Sequence, residues 1–231
     1  MNASALKRMG VILLIAMSLL LLRPFGITFN WILYSLTLST LLISILLLEF
    51  EERKYDARML ALISVLTALV VASRQLMHGI EFSPVFFLVM LAGYTYGFIP
   101  GFTIGAMAMF TSNFFLGQGP WTPFQMLGMG AVGGFASLLP ALKDKRLELA
   151  VLAFYGVITA FLYGAFTDLF SWLAFTPQQT LETLAGIVSA GIVANTSRAA
   201  GNVLFTLILG PAVLKVLRRF RKRFTMEYID L

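Results

Sequence analysis

The most informative polar side chains in this 231-residue chain lie in residues 112–125, SNFFLGQGPWTPFQ. Asn113 and Gln125 carry amides that both donate and accept hydrogen bonds, and Trp121 adds a flat apolar face with one donor. The glycines and prolines of the segment predict a compact turn between two helices. An interfacial aromatic belt accounts for Trp121 alone, but two amides need partners when they are buried. The pattern therefore favours a polar ligand site.

Other polar residues fall near the same predicted end of the molecule. Arg74 and His78 end one apolar run, while Asp168 and Arg198 lie inside two later ones. Charges within apolar segments are costly unless they pair or face a cavity. We expect Asp168 and Arg198 to be close neighbours that line a pocket, and the alternative is a salt bridge that locks two helices. Asn202, one helical turn beyond Arg198, extends this polar line, and His78 is interpreted as a loop residue rather than a metal ligand.

Enzyme chemistry is disfavoured by the residues available. The chain has no cysteine and one histidine, which argues against thiolate zinc sites, cysteine nucleophiles and clusters of histidine ligands. It has no phosphate-binding loop, no HExxH and no GxSxG motif. Asp168 is the only acidic residue well inside a predicted span, so no carboxylate pair is available for acid–base catalysis. We predict a protein that is not an enzyme and needs no cofactor or metal.

The elements that position these residues follow from composition. Hydrophobic residues make up 59% of the chain and charged residues 12%, whereas soluble domains contain about 45–50% apolar and roughly 25% charged residues. Backbone groups in lipid must hydrogen-bond within the protein, and long apolar runs without alternation select helices over a barrel. The sequence therefore predicts an all-α polytopic membrane protein.

Eight apolar runs have the length of a membrane span, about twenty residues. Residues 176–195 are predicted to form an outer loop with a short helix, and a ninth span is the alternative. The first run resembles the charged and apolar regions of a signal peptide, but it lacks a small-residue cleavage site and is expected to be retained. The predicted spans are residues 9–27, 30–49, 58–77, 83–99, 101–116, 124–142, 147–174 and 196–217.

The basic residues test this count. With eight spans, four basic clusters fall on one face, which the positive-inside rule makes cytoplasmic, and both termini then lie inside the cell. The net charge of +6 is thereby explained by orientation in a plasma membrane rather than by nucleic acid. The clusters are Lys7 and Arg8; Arg53, Lys54 and Arg58; Lys143, Lys145 and Arg146; and Lys215, Arg218, Arg219, Arg221, Lys222 and Arg223.

Small residues predict close helix contacts. Ser64, Ala68 and Ala72 are spaced four apart, so they form one narrow face of the third span. This face docks either another protein or another helix of the same chain. Glycines in later spans are explained by helix packing without a function: Gly93, Gly97, Gly101, Gly105, Gly128, Gly130, Gly133 and Gly134.

Taken together, these features resemble a known family. The small-residue row, the Phe82-Ser83-Pro84 start of the fourth span, the segment 112–126 with its QGPWTP core, and Ala199-Ala200-Gly201-Asn202-Val203 followed by a basic tail are similar to the substrate-binding (S) components of energy-coupling factor (ECF) transporters. Within that family the chain looks most like the cobalamin or corrinoid group. The match covers residues 57–223 and does not include the first two spans.

The resemblance implies a six-helix S-component core, residues 57–223, preceded by an additional pair of transmembrane helices in residues 1–56 and followed by a cytoplasmic tail, residues 224–231. It implies an ATP-driven vitamin importer in which this chain binds a corrinoid outside the cell and releases it inside. A transmembrane coupling subunit would dock on Ser64, Ala68 and Ala72, and two cytoplasmic ATPase subunits would supply the energy. One alternative is an S component for another small molecule, such as a queuosine precursor or another vitamin. The other alternative is a structural or assembly membrane protein that does not transport.

The resemblance also places the ligand. Loops at residues 76–83, 116–124 and 175–196 would close over it, and Trp121 could pack on a macrocycle face. The expected contacts are Arg74, His78, Asn113, Gln118, Trp121, Gln125, Asp168, Arg198 and Asn202.

Overall fold

The structure is a computed structural model that describes residues 31–53, 55–77 and 79–226. The first predicted span, residues 9–27, lies outside the described residues, and so does His78. Every regular element in the described part is a helix. The helices are α1 (Trp31–Arg53), α2 (Ala57–Leu76), α3 (Val85–Tyr96), α4 (Phe98–Leu116), α5 (Thr122–Ala136), α6 (Lys145–Phe175), α7 (Leu181–Ile208) and α8 (Gly210–Met226).

The lengths of these helices indicate a membrane protein. Within the described residues, α2, α4 and α6 are each long and apolar enough to cross a bilayer. α7 and α8 together make a fourth candidate span that is bent by 68°. The all-helical class is thus confirmed, and the finer layout of eight spans stays a prediction.

Glycine and proline separate neighbouring helices. Gly97 divides α3 from α4 with a φ of +99°, and Gly117 ends α4 with a φ of +111°. Side chains rarely adopt this left-handed backbone region, so glycine is the residue that can turn the chain there. Pro123 lies in the first turn of α5, where a missing backbone N–H is tolerated.

The predicted loop at residues 176–195 is wrong for most of its length. Only the stretch between Phe175 and Leu181 is non-helical. The hydroxyl of Thr180 caps α7 by accepting a hydrogen bond from the Thr183 N–H, and the Thr183 hydroxyl returns one to the Thr180 carbonyl. The apolar second half of the connector therefore continues as the first half of α7, and α6 and α7 form a long hairpin.

The core is built on close contacts between glycines of α3, α4 and α5. A Cβ added to Gly93 would lie 1.7 Å from the Gly133 carbonyl oxygen, and one added to Gly105 would lie 2.2 Å from the Met129 carbonyl oxygen. Backbones this close gain dispersion contacts that larger residues would prevent. The packing role predicted for the glycines of these helices is confirmed except at Gly97, where nothing lies within 4 Å of a Cβ position and the glycine serves the turn.

α1 packs against this core through one face. Leu38, Leu42 and Leu46 are buried in the same apolar cluster as the helices that follow. The Ser35 hydroxyl donates a 2.9 Å hydrogen bond to the Gly119 carbonyl, in the turn between α4 and α5. The additional N-terminal region therefore supports the turn that carries the predicted site.

Replacing Gly93 with alanine should destabilise the protein, because its Cβ would overlap backbone that cannot move without separating α3 from α5. Overpacking of this kind costs about 3 kcal/mol, which lowers the melting temperature by roughly 6–12 °C in a chain of this size. The control is Gly186→Ala, because nothing lies within 4 Å of a Cβ at that position. Equal melting temperatures for the two variants in detergent would contradict the packing described.

Candidate functional site

Six helices meet around one cavity at the end of the bundle opposite α8. Its volume is about 420 Å³. α2 and α4 reach it at their C-terminal ends, α3 and α5 at their N-terminal ends, and α6 and α7 along their length. Exposed residues of the segment between α2 and α3 form part of its rim. The lining is Arg74, Met77, Gly79, Ile80, Glu81, Ser83, Val85, Phe86, Met109, Asn113, Leu116, Gly117, Trp121, Gln125, Met129, Tyr163, Thr167 and Arg198.

Arg74 lines the cavity and is held by neutral partners. Its guanidinium donates to the Ser112 hydroxyl and, at 2.8 Å, to the Asn113 side-chain oxygen. The neighbouring Gln75 amide donates to the Ser112 carbonyl at 3.0 Å, which fixes α2 against α4. Among the described residues no carboxylate forms an ion pair with Arg74. Its positive charge is therefore positioned without being neutralised.

Asn113 is the centre of the hydrogen-bond network. It is 1% exposed, and its amide nitrogen donates to the Thr122 hydroxyl at 3.0 Å and to the Gln125 side-chain oxygen at 2.8 Å. The Asn113 side chain thus uses both of its donors and accepts from Arg74. One buried amide joins α2, α4 and α5 at the wall of the cavity.

The amide nitrogen of Gln125, unlike that of Asn113, is not used in a hydrogen bond among the described residues. The Gln125 oxygen is used by Asn113, but no described residue accepts a hydrogen bond from its NH2 group. Gln125 is half-buried and lines the cavity. The indole N–H of Trp121, a residue that is 38% exposed, likewise has no acceptor among the described side chains. Both donors are available to a ligand.

Arg198 lies across the cavity from Arg74 and is neutralised locally. Its Nε donates to Glu81 at 2.7 Å, and another guanidinium nitrogen donates to the Asn195 side-chain oxygen at 2.6 Å. The guanidinium also lies 5.8 Å from the centre of the Tyr163 ring, within cation–π range. The described lining contains two arginines and one glutamate, so it carries one excess positive charge.

The predicted contact between Asp168 and Arg198 is not an ion pair. The two side chains interact electrostatically, but Arg198 pairs with Glu81 and Asp168 does not line the cavity. The Asp168 carboxylate of α6 faces α7, where its Oδ2 is 2.7 Å from the Cβ position of Gly191 and has no hydrogen-bond partner among the described residues. Glu81 was overlooked in the sequence because it sits in a short loop and its partner is far away along the chain.

Two more of the predicted residues hold helices together instead of facing the cavity. Asn202 is fully buried and donates to the Gly156 carbonyl at 2.8 Å, which binds α7 to α6. Gln118 is exposed; it donates to the Phe110 carbonyl and accepts from the Thr122 hydroxyl, so it closes the turn. The structure brings together Arg74, Asn113, Trp121, Gln125 and Arg198.

An aromatic cluster sets the position of Trp121 at the rim. Its ring packs 6.5 Å from that of Phe175, which contacts Phe170 at 5.7 Å. A Cβ at Gly119 would lie 2.4 Å from the Trp121 ring, so a larger residue there would displace the ring from this position. Two of the three loops expected to close over a ligand line the cavity, and the third belongs to the α6–α7 hairpin.

Apolar residues complete the wall, and sequence reasoning missed them. Met77 directly follows α2, whereas Met109 lies in α4 and Met129 in α5, and all three bring flexible thioethers to the cavity. The Tyr163 hydroxyl makes only a long contact of 3.9 Å with the Met109 sulfur. Methionines inside apolar helices give no signal in one sequence, because they look like any other core residue.

Comparison with known proteins gives a distant similarity. The chain is 27% identical over 188 residues to UPF0397 proteins of Aliivibrio salmonicida (strain LFI1238) and of Aliivibrio fischeri (strains MJ11 and ATCC 700601 / ES114). Each match covers 71% of this chain and 96% of the relative. No family model matches the chain, and no solved structure matches it.

Asn113→Leu should destabilise the protein far more than the difference in side-chain size suggests. It removes the described partner of the Gln125 oxygen. It also takes one hydrogen bond each from Arg74, which keeps the Ser112 hydroxyl, and from Thr122. Each unmet buried polar group costs about 1–3 kcal/mol. We expect thermal unfolding in detergent to shift down by roughly 10 °C. Gln118→Ala, which removes an amide from an exposed position in the same turn, should shift it by only a few degrees. A small shift for Asn113→Leu would show that the network does not hold Arg74.

Proposed function

We propose that this protein is the substrate-binding subunit of an ATP-driven importer of the ECF type, which takes a small vitamin-like molecule from outside the cell. The observation that carries this proposal is the cavity in which six helices present polar groups to one space. Lipid-embedded proteins keep such groups where they serve a pathway or a ligand. The resemblance to S components supplies the partners: a transmembrane coupling subunit and two ATPase subunits.

The cavity wall differs from a set of structural bridges. Asn202 and Gln118 bond to neighbouring backbone and would serve any helical bundle. Arg74, Gln125 and Trp121, by contrast, line the cavity and keep hydrogen-bond donors that no described residue accepts. Unused donors beside an apolar wall are typical of ligand sites. This contrast favours ligand binding over the alternative of a structural or assembly protein.

The excess of donors and of positive charge indicates the chemistry of the ligand. Glu81 is the only carboxylate in the described lining, and it already forms an ion pair with Arg198. A ligand with a carboxylate, a phosphate or several carbonyl oxygens would complete the hydrogen bonds of Arg74 and Gln125. Arginine suits such groups because its planar guanidinium can bind two oxygens at once.

The size of the cavity favours a small ligand. A volume of about 420 Å³ is near the lower end of the 300–1,000 Å³ typical of sites for drug-sized molecules. A corrinoid has a broad macrocycle with several amide arms and a nucleotide loop, and it exceeds that size class. The geometry therefore supports the alternative of another small vitamin-like molecule over the corrinoid.

The proposed docking face for the coupling subunit is available on α2. Ser64, Ala68 and Ala72 are all exposed in the described structure, and the Ser64 hydroxyl bonds only to the Leu60 carbonyl of its own helix. Beside them Val65 is 65% exposed. No described helix of this chain fills the small-residue face, which supports its use by a partner helix.

The ligand proposal predicts that a small anionic or carbonyl-rich molecule purifies with the chain and is identified by mass spectrometry after solvent extraction. Arg74→Gln should weaken binding of that molecule by at least about tenfold, since a hydrogen bond to a charged group contributes about 1.5–3 kcal/mol. Arg198→Ala should also lose over tenfold, because it leaves Glu81 unpaired at the cavity wall.

Arg146→Gln is the control, since it removes an exposed arginine from the first turn of α6, at the far end of the bundle. Its affinity should equal that of the unmodified chain. Purification with a corrinoid would overturn the size argument alone. Unchanged affinity in both Arg74→Gln and Arg198→Ala would overturn the assignment of the site.

The partner proposal predicts that affinity purification of the full chain recovers ATPase subunits from its native membranes. Ala68→Leu should reduce their recovery at least about tenfold, because a larger side chain keeps a partner helix from approaching α2. Ala165→Leu makes the same change at an exposed position of α6 and should leave recovery unchanged. Equal recovery with both variants would place the docking face elsewhere.

A further inference from the structure

The last helix departs from the direction of the helix before it. α7 ends at Ile208 and α8 begins at Gly210, with a bend of 68° between them. Pro211 follows at once, in the first turn of α8, where proline is tolerated. The sequence predicts that the last span continues to residue 217, whereas in the structure the chain changes direction after residue 208.

The side chains of α8 divide into three faces. Leu214 and Leu217 are buried and pack with Phe87 and its neighbours in the second apolar cluster. Val216 and Phe220, one helical turn apart, are 51% and 40% exposed and form an apolar stripe beside the buried face. The opposite side of the helix is basic. Its cations are Lys215, Arg218, Arg219 and Lys222.

A cavity of about 520 Å³ opens at the base of this helix. Its lining includes Lys143, Arg218 and Arg221 together with the hydroxyl-bearing side chains of Tyr94 and Tyr96. It lies at the opposite end of the bundle from the proposed ligand site. The two cavities share no lining residue.

The acidic residues near this cavity are already engaged. Glu148 is buried, forms an ion pair with Arg218 and accepts a hydrogen bond from the Tyr94 hydroxyl. Asp144 caps α6 by accepting from the Arg146 N–H at 2.8 Å. The ammonium groups of Lys143, Lys215 and Lys222 form no ion pair with any described residue. The charges of these three lysines are therefore not neutralised within the described residues.

We propose that α8 lies in the membrane interface and that its basic face and the adjoining cavity bind the headgroup of an anionic phospholipid. The arrangement matches that of interfacial helices, which place an apolar stripe in the acyl region and cations among the headgroups. Basic pockets between helices on the cytoplasmic side hold anionic headgroups elsewhere. The inference does not depend on which molecule occupies the other cavity.

Basic residues that serve only to orient the protein in the membrane do not need this geometry. The positive-inside rule is satisfied by basic residues in any conformation near the end of a span. It does not require the bend, the exposed Val216 and Phe220 beside a basic face, or a cavity lined by cations. These features are explained together when the occupant has an anionic head and an apolar tail.

The absence of native cysteine allows one position to be labelled. Phe220→Cys carrying a bimane fluorophore is reconstituted in bilayers that mix phosphatidylcholine and phosphatidylglycerol, with bromine on the acyl chains of one lipid at a time. We expect quenching by both lipids, and at least about twofold stronger quenching when the bromine is on phosphatidylglycerol. The same label at Arg219→Cys, on the basic face, should be quenched less.

Two charge-matched pairs of substitutions separate local recognition from general charge. Lys215→Gln with Lys222→Gln should abolish the preference for phosphatidylglycerol and leave quenching by phosphatidylcholine unchanged. Lys145→Gln with Arg146→Gln removes the same charge from the first turn of α6, away from the basic face of α8, and should keep the preference. Absence of quenching at residue 220, or an equal loss of preference in both pairs, would overturn the proposal.

Discussion

The candidate site depends on one buried interaction, the contact between the Arg74 guanidinium and the Asn113 side chain. An arginine inside an apolar bundle costs at least about 2.5–3.5 kcal/mol unless acceptors replace its water. Asn113 provides such an acceptor with its oxygen and joins Thr122 and Gln125 with its nitrogen. Because these partners are neutral, Arg74 is fixed in place while its charge stays available. A carboxylate at the same position would have produced a rigid but closed helix junction.

Two kinds of polar group can be distinguished in this protein by where their hydrogen bonds go. Asn202 fills the space left by Gly156 and donates to its carbonyl, so it fastens α7 to α6. Arg74 and Gln125 bridge helices at the cavity and still keep donors that no described residue accepts. The first kind stabilises the hairpin, and the second is what a binding site for an acceptor-rich molecule requires. This division supports a transport function more directly than the number of polar residues does.

Sequence reasoning predicted the helical class and the convergence of Arg74, Asn113, Trp121, Gln125 and Arg198, because polar residues inside apolar runs have few alternatives to clustering. It failed where partners are distant along the chain or where hydropathy is ambiguous. Glu81 and Arg198 are 117 residues apart in the sequence, and no local sequence pattern predicts that they pair. The hydropathy of the apolar half of the predicted connector is equally consistent with a short helix in a loop and with the first half of α7. The cavity methionines resemble core residues, so a single sequence cannot separate them.

The proposed site requires the Arg74–Asn113–Gln125 network to face a cavity that is open to the outside of the cell. It can be tested on Gln125→Cys, since the chain has no other thiol. The measurement is the labelling rate with a membrane-impermeant thiosulfonate reagent in intact cells, compared with the rate in inside-out vesicles. The account predicts rapid labelling in intact cells that slows when the purified ligand is added. Labelling only in inside-out vesicles, or in neither preparation, would contradict it.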